Sequence, residues 1–158
     1  MKDVGTASQV SSLISVFISL TALTIAGLTY RDRRKQDRRD LFLKLHERMV
    51  DSDLQRGRRL LFTRAQSVAD VNRLRAEEPE VFDQINRAVA MLDIAGMYVA
   101  KNYINKDDFV AEWGSAYGRA WIAAQPFLEV RLAGLGGGTP GWPYFRGLGT
   151  ELAASCEG

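Results

Sequence analysis

His46 is the chain's one imidazole and Cys156 its one thiol. Those counts exclude a Cys/His zinc site and a Cys–His nucleophile within a single chain, and a lone cysteine forms no intrachain disulfide. His46-Glu47 does not extend to a second histidine, so no metalloprotease pattern exists. Gly114-Ser115-Ala116-Tyr117-Gly118 has the outline of a nucleophile elbow. Its serine stands one place too early, however, and no strand precedes it. The run Gly134-Leu135-Gly136-Gly137-Gly138-Thr139 invites a phosphate-loop reading. It lacks the Lys-Ser/Thr of a P-loop and leads into Pro140-Gly141-Trp142-Pro143 instead of a helix, so it reads as a linker.

Two carboxylates remain as candidates for acid–base work. Asp93 sits in Ala90-Met91-Leu92-Asp93-Ile94-Ala95-Gly96, the most apolar stretch outside the N-terminal region. A carboxylate there needs a partner, and Arg87 or Arg119 could supply one; structural pairing or partial exposure is favoured over catalysis. Glu112 is the second candidate, and a carboxylate pair with Asp93 is one arrangement open to it. Phe109, Trp113, Tyr117 and Trp121 follow one another at four-residue spacing, which makes either an aromatic platform for a ligand or a ridge of the core. The core ridge is preferred. The sequence assigns no catalytic residue, cofactor, metal or small-molecule substrate.

The elements that would carry these residues are helical. Asp51-Ser52-Asp53 supplies capping chemistry between one helix and the next, which runs through Leu54, Leu61 and Phe62. A short helix near Ser67 would carry Val68, Val71 and Leu74, and Pro79 suits the first position of the following one. Val81, Ile85, Ala88, Leu92, Ala95 and Val99 then alternate at three and four residues, the strongest core pattern in the chain. Asn105 reads as an N-cap, with Asp107 and Asp108 in the first turn. Pro126 is expected to kink or restart the chain before Phe127–Leu132. The apolar tail Trp142-Pro143-Tyr144-Phe145 with Leu148, Leu152 and Ala153 is expected to dock on the bundle in preference to lying on a membrane surface. No alternating run of strand length appears, so the fold class is all-α.

Ahead of all this, residues 10–30 form a stretch of twenty-one residues without a charge. As a helix it would span roughly 31 Å, the thickness of a bilayer's hydrocarbon core. Arg31, Arg33, Arg34, Lys35, Arg38 and Arg39 follow at once. That order is the reverse of a cleaved signal peptide, whose positive charge comes first. The expectation is a transmembrane helix with the N-terminus outside and the remainder cytoplasmic, its basic collar against anionic headgroups. With no Gly or Pro between Leu28 and Arg56, the helix should continue through the collar as a stalk. Residues 31–40 carry six basic and three acidic side chains, and residues 41–158 fourteen and fifteen. The pI of 8.8 is therefore set by the collar, and the near-neutral domain argues against nucleic-acid binding. Within the span Ser8, Ser12, Ser15, Ser19, Ala22, Ala26 and Thr29 form a seam of small residues suited to packing against another helix. The alternatives are hydroxyls bonded to their own backbone, or a pore wall made of Ser12, Ser15 and Ser19.

Leu41-Phe42-Leu43-Lys44-Leu45-His46-Glu47-Arg48, Leu54-Gln55-Arg56-Gly57-Arg58-Arg59-Leu60-Leu61-Phe62, Leu92-Asp93-Ile94-Ala95-Gly96-Met97-Tyr98 and Glu112-Trp113-Gly114 follow the span and collar. The whole resembles small bacterial single-pass membrane proteins with a helical cytoplasmic domain of unknown function. The resemblance covers residues 10–125 and is architectural. It implies one span and a helical cytoplasmic domain, and it transfers no activity and no site residue; the span and collar themselves set the expected location, the bacterial plasma membrane.

The expected organisation is thus a short outer end (1–9), a transmembrane helix (10–30), a basic collar (31–40), a cytoplasmic helical bundle (41–133), and a Gly-rich linker with a C-terminal tail (134–158). The expected function is a non-enzymatic tether or subunit of a membrane assembly, homo-oligomeric or joined to a partner membrane protein. An oligomeric pore or toxin-like effector, and a membrane-bound enzyme using Asp93 or Glu112, are the alternatives.

Overall fold

The computed structural model describes residues 4–133 and 141–154, with side chains from Ser19 onward. Among the described residues it is entirely helical, as six helices in chain order: α1 (Val4–Met49), α2 (Ser52–Arg64), α3 (Val68–Glu77), α4 (Pro79–Ala100), α5 (Lys106–Ala133) and α6 (Pro143–Ala154). The chain divides into two units, residues 1–39 and 40–158.

In the first unit α1 is unbroken, as the lack of Gly and Pro after Leu28 requires. Among the described residues no helix is long and apolar enough to cross a membrane. Residues 10–18 of the uncharged run, with Ser12 and Ser15, and Ser8 before it, lie outside the described side chains. From Ser19 to Tyr30 every side chain is exposed. Leu20, Leu23, Ile25 and Leu28 are at least half exposed, and at 100° per residue they cover an arc of about 200°, the rest of the circumference carrying Ser19, Ala22, Ala26 and Thr29. The Thr29 hydroxyl of the small-residue seam donates to the Ile25 carbonyl at 2.9 Å, and Thr24 donates to Leu20 at 2.8 Å. Those two hydroxyls are satisfied within their own helix.

The second unit is a bundle in which α4 is central, packed against α2, α3, α5 and α6. Its starts are fixed by local chemistry. Asp51 accepts from the amides of Asp53 and Leu54 to open α2, and Ser67 accepts from Asp70 to open α3. Pro79 is the first residue of α4. Asn105 Oδ1 accepts from the Asp107 amide at 2.7 Å ahead of α5, whose first turn carries Asp107 and Asp108. α4 buries Ile85, Ala88, Leu92 and Ala95 of the expected stripe, together with Phe82, Val89 and Met91. The last turn of α1 joins the same core through Leu45 and Met49.

Two expectations are corrected. The chain does not restart at Pro126: α5 runs through it to Ala133, with Phe127, Leu128 and Val130 buried beyond the proline. The segment after the Gly-rich run does lead into a helix, because Pro143 is pre-organised for a first turn and Phe145, Leu148 and Leu152 give α6 one apolar face. That face is buried against α4 and α5, so the tail docks on the bundle. Residues 134–140 and Cys156 lie outside the described residues.

Candidate functional site

Asp93 lies half-buried on α4. Its Oδ1 accepts from the amides of Tyr144 at 2.9 Å and Phe145 at 2.8 Å. These are the second and third residues of α6, whose opening amides have no partner in their own helix. Trp142 occupies the capping position, where its carbonyl accepts from Arg146 at 3.0 Å, but tryptophan has no side-chain oxygen to cap with. Asp93 therefore caps α6 from another helix. The partner expected from sequence, Arg87 or Arg119, is replaced by two backbone donors.

Close packing surrounds this contact. A Cβ on Gly96 would lie 2.5 Å from the Tyr117 hydroxyl and 2.7 Å from the Tyr144 carbonyl, so only glycine lets α4, α5 and α6 converge here. Tyr117 is fully buried and its hydroxyl donates to the Leu92 carbonyl at 2.9 Å. Burial, and secondarily the Asp93 charge, push this phenol far above its ordinary range. The aromatic series of α5 is a ridge of the core. Phe109 and Tyr117 are buried edge to face at 5.5 Å, and Phe145 of α6 meets both Tyr117 at 5.2 Å and Trp121 at 5.3 Å.

No family model, no curated protein and no solved structure matches the chain. The roles of these residues rest on their geometry.

Glu112 has a different neighbour from Asp93. Its Oε1 lies 3.9 Å from His46 Nδ1 at the end of α1, and both side chains are more than a third exposed. The His46 ring also sits 5.3 Å from that of Trp113, and the Arg58 guanidinium lies 5.7 Å from the Trp113 centroid. Arg58 donates to the Met49 carbonyl at 2.9 Å, and burial lowers its pKa from the ordinary arginine range. The cluster thus pins the end of α1 to α2 and α5. The two carboxylates are held by separate partners: one closes a helix end, and the other stands beside the lone imidazole at the surface. Among the described residues no three His, Cys, Asp or Glu side chains are grouped to hold a metal ion. The collar residues Arg31, Arg33, Arg34, Lys35, Arg38 and Arg39 all lie in α1, and Ser19, Ala22 and Ala26 of the seam are exposed on the same helix.

The capping role of Asp93 escapes sequence reasoning because its donors stand some fifty residues away. Pro143 at a first helical position, followed by apolar residues at helical spacing, was the available signal for α6.

Proposed function

We propose that the chain is a single-pass membrane-anchored interaction protein, with residues 10–30 in the bilayer, the N-terminus outside and the helical bundle in the cytoplasm. The observation that carries the reading is the exposed apolar arc of Leu20, Leu23, Ile25 and Leu28 on α1, in a segment with no charge on any side and continuous in sequence with the uncharged residues before it. A helix with no charge on any side and large apolar side chains exposed over half its circumference has no charged face to turn toward water, and hydrocarbon is the solvent that accepts it. The six basic residues from Arg31 to Arg39 then meet anionic headgroups, each worth about 1 kcal/mol near the surface. The seam of Ser8, Ser12, Ser15, Ser19, Ala22 and Ala26 gives the span a surface on which a second helix, its own copy or a partner's, approaches closely. The bundle serves as the docking module, with Phe62, Ile94, Tyr103 and Ile122 among its exposed apolar side chains.

Cys156 supplies the test. The protein should stay with membranes through alkaline carbonate extraction. A membrane-impermeant thiol reagent should label Cys156 in inverted vesicles and leave it unlabelled in sealed spheroplasts. Recovery in the carbonate supernatant, or labelling from outside, would overturn the assignment. Crosslinking in native membranes should trap a dimer or a partner.

A further inference from the structure

Within the bundle unit, the end of α1 and the C-terminal half of α4 line a trough of about 260 Å³. Leu41, Lys44, Leu45 and Arg48 recur at helical spacing on its α1 wall, and Met91, Ile94 and Tyr98 on its α4 wall. The floor is apolar: Leu45 and Met91 are buried, while Ile94 stands at the open side with 41 % of its surface exposed. The only charges on the walls are the two cations, one helical turn apart, and no carboxylate lines the trough. Neither Lys44 nor Arg48 forms an ion pair with another described residue, although three Lys or Arg side chains elsewhere in the bundle unit do.

We infer that this trough is the docking site for an amphipathic α-helix of a partner protein, with apolar residues at three- and four-residue spacing flanked by Asp or Glu. Two facing helical stripes present what a third helix needs: anchors for its apolar face and cations for the acidic residues beside it. Charge complementarity selects an acidic helix over a basic one, because Lys44 and Arg48, the charged residues of the lining, repel a basic flank. An acyl chain suits the trough less well, since its outer side is open and the chain would stay half in water. The inference rests on the reading of the bundle as a docking module and is independent of the membrane span.

The test uses the full chain in detergent micelles and two synthetic helical peptides sharing one Leu-bearing face, one flanked by Glu and one by Lys. Fluorescence anisotropy should show the Glu-flanked peptide binding and the Lys-flanked one binding at least about tenfold more weakly. Ile94→Asp, a change at an exposed position, should weaken the Glu-flanked peptide by about tenfold. The double variant Lys44→Glu, Arg48→Glu should reverse the preference between peptides, and both variants should keep the parent's circular dichroism. Equal binding of the two peptides overturns the inference, as does wild-type affinity in either variant. Displacement of the Glu-flanked peptide by added anionic phospholipid also overturns it, by assigning the trough to lipid. A membrane partner that still crosslinks to the Ile94→Asp chain removes the trough and leaves the docking reading intact.

Discussion

Asp93 accepts two backbone hydrogen bonds, and its oxygen is expected to count for more than its charge. Replacing it with Ala leaves the Tyr144 and Phe145 amides without a partner at a half-buried helix start, at a cost of about 1–2 kcal/mol. Asn keeps the oxygen and should recover most of that loss. Urea unfolding of the three proteins checks the order, and an Asn variant as unstable as Ala would show that charge decides. Tyr117 makes a prediction about pH. An unfolded tyrosine ionises near pH 10, whereas the folded Tyr117 holds its proton well beyond that. The folded state therefore binds this proton more tightly, so the stabilisation is complete below pH 10 and is lost as pH rises above it. Tyrosinate absorbance should show Tyr117 ionising only together with unfolding. Tyr117→Phe should flatten the alkaline fall in stability while costing about 1 kcal/mol at neutral pH, because the Leu92 carbonyl loses its donor.

At the scale of elements, what could be read in advance was whatever depends on neighbours in sequence. Asp51, Ser67, Pro79 and Asn105 act within a few residues of themselves, and each opens the helix that its chemistry announces. Packing between helices left no such local mark. Gly57 and Gly96 look like weak points in good helices, yet a Cβ on Gly57 would stand 2.6 Å from the Gln84 carbonyl and one on Gly96 2.7 Å from that of Tyr144. Their need for glycine belongs to the neighbouring backbone. Gly147 in α6 has nothing within 4 Å. Gly147→Ala should therefore stabilise the bundle by about 0.5–1 kcal/mol through helix propensity, while Gly96→Ala should destabilise it by about 1–3 kcal/mol or more. Thermal melts that move both variants in the same direction would refute the packing argument. The restart at Pro126 fails for a related reason: its local penalty is real, but α5 continues through it with Phe127 and Val130 buried beyond it.

For the whole molecule the question is which solvent surrounds α1, and one substitution made at two places answers it. Leu23 and Leu43 lie on the same helix and are 71 % and 50 % exposed. In water, Leu→Arg at either site exchanges one good helix former for another at an exposed position, and both variants should behave like the parent. In hydrocarbon the two sites differ. Leu23 stands within the uncharged run, where an arginine raises the insertion free energy by about 2.5–3.5 kcal/mol, while Leu43 lies beyond the basic collar. The span reading therefore predicts that Leu23→Arg loses most of its carbonate-resistant membrane fraction and that Leu43→Arg keeps the parent's. The same contrast separates anchoring from adhesion. A chain held only by its basic collar would leave the membrane in high salt whichever leucine is changed, because surface attraction to headgroups is screened within a Debye length of about 8 Å at physiological salt and less above it. Retention of the parent and of Leu43→Arg in high salt, with selective release of Leu23→Arg, is the pattern that burial of the uncharged run in lipid demands.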